Sequence, residues 1–234
     1  SAISTDSGSS STDFITNDQT LSISGTLSAA LATGEKAQIS LDNGATWKDV
    51  TVTSGATTWT YDNTANTLAA GSYTLKARVV DAAGNASTPT SQALTIDTSV
   101  PSGQTGALST APSSDSGTTG DNITNVKTPA ITGTAEANAK VEVTVNGKTY
   151  STTADASGAY SVTVPAADAL TDGSYTPSIK VTDAAGNTST ANGTPFAVDG
   201  TAPTTTATIG SISTDSGSSS SDFITKDQSL SFSG

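Results

Sequence analysis

The same landmarks return along this chain at fixed intervals. Asp81-Ala-Ala-Gly-Asn85 returns as Asp183-Ala-Ala-Gly-Asn187, Gly71-Ser-Tyr73 as Gly173-Ser-Tyr175, and Ile96-Asp97 before Pro101 as Val198-Asp199 before Pro203, each 102 residues on. The opening segment from Ile3 to Thr16 returns almost verbatim from Ile212 to Thr225, a shift of 209. A diverged middle copy runs through Asp115, Asp121 and Asn125. Repetition in register divides the chain into two complete units, 1–98 and 99–200, followed at 201–234 by the start of a third.

Each unit reads as about seven short strands. In the first, Leu21 to Ser24 forms the opening strand. A hairpin follows, from Ala37 through the turn Asp42-Asn43-Gly44 to Trp47–Val52. The run from Ser72 to Val80 alternates, with Tyr73, Leu75, Ala77 and Val79 on one face. The second unit repeats the plan with Lys140–Val145, the turn Asn146-Gly147, Ala159–Val164, and Tyr175 onward. Short strands at even spacing, with about 100 residues per unit, predict an all-β fold of tandem immunoglobulin-like antiparallel β-sandwiches in a linear rod. Tyr73 and Tyr175 open the penultimate strands, where a tyrosine corner belongs. Residues 201–234 hold too few strands to bury a core of their own.

Composition narrows function. The 234 residues carry 21 acids against 9 bases, a net charge of −12. Only Glu35, Glu136 and Glu142 are Glu; the rest are Asp, which favours turns and metal loops over helices. Such a surface repels nucleic acid and anionic membranes. No apolar run is long enough for a transmembrane helix, and no charged-then-apolar segment at the start reads as a secretory signal. Cys, Met and His are absent. Disulfide staples, thiol chemistry and the usual catalytic base go with them, so the chain is not read as an enzyme.

The pattern Gly-Ser-Tyr, Asp-Ala-Ala-Gly-Asn and Ile-Asp-Thr before Pro101 resembles the bacterial Ig-like repeats of giant type I-secreted surface adhesins. The resemblance covers essentially the whole chain. It implies long stacks of such domains at a bacterial cell surface, with calcium at the joints.

The carboxylates support a calcium reading by a separate route. In a seven-stranded sandwich, Asp81–Asn85 lies at the N-terminal pole of the first unit and Asp97 at the opposite pole. Asp115 and Asp121 precede the second unit's first strand, so they lie at its N-terminal pole and face Asp97, as does Asp183. Four carboxylates would then meet at one joint: Asp97, Asp115, Asp121 and Asp183. Their equivalents are Asp6, Asp13 and Asp81 at the start, and Asp199, Asp215 and Asp222 at the end. Like charges a few Å apart each cost about 1–4 kcal/mol. A Ca²⁺ ion with six to eight oxygen ligands relieves that cost, and Mg²⁺ tolerates irregular cages poorly. The plainer reading is that these Asp residues cap turns.

Other signals are thin. The Ser-rich start has no base beside it, and the Gly-rich stretches lack a phosphate-loop Lys. Trp47 and Trp59 are expected in the core. The expected role is a stalk that presents a distal region for host-cell or biofilm adhesion. Its partners are the adjacent Ig-like repeats and, through another part of the protein, a host-surface glycan or protein. The alternatives are a glycan- or protein-binding module, or an accessory domain of a secreted enzyme.

Overall fold

Alternating burial sets the strands. In the strand Lys36–Ser40, Ala37 and Ile39 are buried while Lys36 and Gln38 face outward. The computed structural model describes residues 1–234. It divides into two compact units, Ser1–Asp199 and Gly200–Gly234.

The first unit holds two sandwiches. The strands of the first are β1 (Ala2–Ile3), β2 (Ile15–Thr16), β3 (Ser22–Thr26), β4 (Lys36–Ser40), β5 (Lys48–Asp49), β6 (Thr51–Val52), β7 (Thr58–Asp62), β8 (Gly71–Val80) and β9 (Thr90–Ile96). They form sheets β1-β3-β7-β6 and β2-β9-β8-β4-β5. The strands of the second are β10 (Ala107–Leu108), β11 (Ile123–Thr124), β12 (Ala130–Thr134), β13 (Lys140–Val145), β14 (Lys148–Thr153), β15 (Ala159–Thr163), β16 (Gly173–Tyr175), β17 (Ser178–Thr182), β18 (Thr188–Asn192) and β19 (Phe196–Val198). They form β10-β12-β15, β11-β19-β16 and β14-β13-β17-β18. The one helical piece is a 3-10 turn, Ala166–Asp168.

Strands β16 and β17 are the two halves of what is a single strand, β8, in the first repeat. The break falls at Pro177, which stands where the first repeat has Leu75. Proline has no N–H for the ladder, so the strand interrupts there. Each repeat closes its own core. Leu21, Ile23, Ile39, Trp59, Leu94 and Ile96 pack together in the first; Ile131, Val141, Val143, Leu170, Ile179 and Phe196 do so in the second. Full burial of such a side chain contributes about 1.5–3 kcal/mol. Both predicted tyrosine corners are present: Tyr73 donates to the Ala69 carbonyl and Tyr175 to the Thr171 carbonyl, each at 2.8 Å. Trp59 is buried as expected. Trp47 is not, and lies half-exposed outside the sheet.

One expectation is overturned. The strand from Leu21 is not the first. Strand β1 pairs antiparallel with β3 before it, and β10 with β12. The chain therefore runs the length of the sandwich, forms the Asp loop, and only then adds β2 parallel to the end of β9, or β11 parallel to the end of β19. Asp115 and Asp121 accordingly lie at the second repeat's C-terminal pole, beside Asp199, whose N–H donates to Thr124. Asp183 lies at the far end, because β16 starts opposite Val198 and runs away from it. The set Asp97, Asp115, Asp121 and Asp183 does not meet.

The second unit, Gly200–Gly234, has one pairing, β20 (Ser211–Ile212) with β21 (Phe232–Ser233). Ile209, Ile224 and Phe232 are exposed there, so it buries no comparable core.

Candidate joint between the repeats

The same strand crossing that separates Asp115 from Asp97 brings Asp6 and Asp13 to the pole where β9 ends. Thr95 and Asp97 donate their N–H groups to Phe14 and Thr16. Against this pole sits the second repeat's Asp183–Asn187 loop. The hydroxyl of Ser7 donates to the Ala185 carbonyl. The Asn17 N–H is shared between Ser7 Oγ at 3.0 Å and the Ala185 carbonyl at 3.2 Å. Asn187 uses both hydrogens of its carboxamide: Nδ2 donates to the Asp97 carbonyl at 2.8 Å and to Asp183 Oδ2 at 2.9 Å. Backbones approach closely at Gly8 and Gly186. A Cβ on Gly8 would stand 1.9 Å from the Ala184 oxygen.

The Asp-Ala-Ala-Gly-Asn sequence builds this loop for a local reason. Asp183 Oδ1 accepts the Asn187 N–H, and the Gly186 N–H returns to the Asp183 carbonyl. Gly186 has φ of 92°, which only glycine adopts freely. Asp81–Asn85 closes in the same way at the first repeat's N-terminal pole. Hydrogen bonds from the Asn85 side chain and backbone hold Asp81 below the usual carboxylate range. Asp13, Asp121 and Asp222 each accept the N–H two residues on, so they cap turns.

Asp6, Asp115 and Asp215 are different. One oxygen of each is satisfied, by the N–H of Phe14, Gly120 and Phe223. The other oxygen, Oδ1, is buried and has no partner in any of the three copies. A buried, unpartnered carboxylate oxygen is costly. It is also the donor that a hard cation takes. No three acidic side chains stand at metal-holding spacing, so backbone carbonyls or water would complete a shell. At the joint the donor that fits a hard cation is Asp6 Oδ1, with Asp97 and Asp183 as further acids of the same joint. Asp81, Asp199 and Asp215 sit at the other poles or in the second unit.

Glu136 belongs to the joint and was not singled out by its sequence. Burial, and then repulsion from Asp183 and Asp97, push its carboxyl above the ordinary value. Its rarity as one of three Glu was the available signal. The folded chain therefore holds the Glu136 proton more tightly than the unfolded chain does. The repulsive cost is full above the raised value and disappears as pH falls below the ordinary 4.5. In chelator at about pH 7, Glu136→Gln is expected to stabilise by a few tenths of a kcal/mol, since the site is largely exposed. Calorimetric melting from about pH 4 to about pH 7 should show that gain shrinking toward acid.

Asn187→Ala removes both hydrogen bonds of the carboxamide, one across the joint to Asp97 and one within the loop to Asp183. It is expected to cost about 1–2 kcal/mol. Hydrogen exchange should rise at Asp97–Ser99 and leave the core strand β13 protected.

A family model described as a bacterial Ig-like domain matches residues 1–98 and again 102–200. A search of curated proteins found no match. Among solved structures, the tetra-tandem repeat in the extending region of a large adhesion protein is 24% identical, with 79% of this chain and 47% of that chain covered, at a TM-score of 0.36. A Ca²⁺-stabilized, ice-binding adhesin of an Antarctic bacterium is 27% identical, with 82% and 46% covered, at 0.37. A bacterial immunoglobulin-like domain from the M. primoryensis ice-binding adhesin is 30% identical, with 41% and 96% covered, at 0.28. The chain spans about half the length of the first two, at 47% and 46%. With its model matched twice in succession, this chain belongs to the bacterial Ig-like domain family.

Proposed function

We propose that the chain is a stalk segment of an exported bacterial surface adhesin, and that calcium at the joint stiffens it. The carrying observation is the buried, unpartnered Oδ1 of Asp6, repeated at Asp115 and Asp215. A turn-capping role accounts for Oδ2 but leaves Oδ1 without purpose. At the same joint, Glu136, Asp183 and Asp97 repel one another, and that negative charge is one a dication would balance. The hydrogen bonds of Ser7, Asn17 and Asn187 align the repeats, and the ion adds rigidity. The adjacent repeats are the partners of this segment, and the adhesive contact is made elsewhere in the protein. No catalytic role is proposed, since His and Cys are absent and neither repeat offers a nucleophile with a base.

Extracellular calcium modules bind at about 10⁻⁴–10⁻³ M. The joint would then stay empty in the cytosol and fill after export. Isothermal titration of the chain with calcium after chelation is expected to give saturable heat in that range. A flat titration would rule the reading out.

A further inference from the structure

The outward face of the sheet β2-β9-β8-β4-β5 carries a charge arrangement that the second repeat lacks. Cross-strand register makes the comparison direct. In the second repeat Glu142 pairs across from Lys180, and its carboxylate meets both Lys180 and Lys140, at 3.3 and 3.1 Å. That face is neutralised internally. In the first repeat the matching pair is Gln38 and Arg78. The carboxamide orients the guanidinium, with Gln38 Oε1 accepting from Nε at 3.0 Å and Nη2 at 2.9 Å, but it does not neutralise it. Trp47 backs the same group, its ring centroid 4.0 Å from Arg78 Cζ. The indole is itself fixed by donation to the Gly44 carbonyl.

Lys76 joins this group. It is two residues from Arg78 on the same face of β8, about 7 Å away. A Cβ on Gly44 would stand 3.6 Å from the Trp47 ring and 3.9 Å from Lys76 Nζ, so the ammonium and the indole flank the same point of the turn. The second repeat has Ser178 at that position and Thr149 at the position of Trp47. Asp49, on the same sheet, is occupied by Lys36 and Gln38, and Asp42, in the turn with Gly44, by Ser40 and Thr46. Neither Arg78 nor Lys76 makes an ion pair. In a chain of net charge −12, two adjacent uncompensated cations, one clamped by an aromatic ring and an amide, are an exception.

We propose that Arg78, Lys76 and Trp47 form a binding site for an acidic polysaccharide, with a sugar carboxylate on the guanidinium. Of the five guanidinium N–H groups, two go to Gln38, which leaves three for an incoming anion. A planar carboxylate suits that fork. The indole adds an apolar surface beside it, suited to a sugar ring and without counterpart on an acidic peptide. The acids of the poles oppose any polyanion at long range. At roughly 0.15 M salt the Debye length is about 8 Å, which screens them and leaves the local contact.

The probe is an oligogalacturonate, titrated into the full chain in chelator at that salt and followed by NMR shifts. Saturable shifts should centre on Trp47, Arg78 and Lys76. The methyl-esterified oligosaccharide, which lacks only the charge, should bind at least about tenfold more weakly. Gln38→Glu should weaken binding by at least about tenfold too. That variant installs the residue the second repeat carries at the same register, but it exchanges the Gln38–Asp49 hydrogen bond for two facing carboxylates, so melting should fall modestly while the dispersed amide spectrum of the folded chain is retained and checks the fold. No saturable shifts, binding indifferent to Gln38→Glu, or equal binding of the methyl ester would each overturn the proposal. Equal binding of poly-glutamate would also overturn it, because the site would then read charge and not sugar.

Discussion

Gly8→Ala is expected to open the joint between the two repeats, whereas Gly117→Ala is expected to leave it closed. The two glycines hold the same place in their loops, after Asp6-Ser7 and after Asp115-Ser116. Both have positive φ, 102° and 79°, so Ala strains each backbone by about 1–2 kcal/mol. Their surroundings differ. The new Cβ at Gly8 would meet the Ala184 carbonyl oxygen at 1.9 Å, while at Gly117 nothing stands within 4 Å. Relief of the clash must push the Asp183–Asn187 loop away. That breaks the contacts of Ser7, Asn17 and Asn187, each a hydrogen bond of about 0.5–1.5 kcal/mol. The summed cost to the joint is about 2–4 kcal/mol. NMR relaxation in calcium should give one shared tumbling time for the parent and for Gly117→Ala, and two shorter times for Gly8→Ala. Shared tumbling in Gly8→Ala would mean the contact does not hold the repeats together.

Asp6→Asn should change sign with calcium. Without metal, the substitution removes a buried charge whose Oδ1 has no partner, so melting should rise or hold. With calcium, the parent gains roughly 1.4 kcal/mol per site at about tenfold excess over the dissociation constant. The variant lacks the anionic ligand and should lose most of that gain. A uniform loss in both conditions would assign Asp6 to loop closure alone. The same experiment on Asp13→Asn should show a uniform, smaller loss, since its Oδ1 only caps the Ile15 turn.

The repeat, the sandwich class and the tyrosine corners were legible because they rest on local chemistry. Asn146 and Gly147 have φ of 50° and 73° in a two-residue hairpin, the conformation Asn-Gly favours. The polar loop of Asp183–Asn187 followed from its own Asp and Gly. What stayed hidden was set by pairing at a distance. Strands β1 and β10 have two residues each, too few to show a period, so the sequence does not reveal that the Asp loops after them lie at the opposite pole. The contacts of Asn187 with Asp97 and of Ser7 with Ala185 span 90 and 178 residues. Trp47 and Trp59 sit in similar polar runs, and only the register of β5 on β4 puts one outside and the other in the core. Glu136 carries no motif at all.

Small-angle scattering of the chain with calcium, with chelator, and as Asp6→Asn with calcium tests most directly whether calcium holds consecutive repeats in line. Calcium should narrow the distance distribution and lengthen its average extension relative to chelator, because one ion would tie the end of β9 to the loop of the next repeat. Asp6→Asn in calcium should resemble the parent in chelator. Superimposable profiles in all three samples would contradict calcium stiffening and leave the hydrogen bonds of Ser7, Asn17 and Asn187 as the whole of the joint.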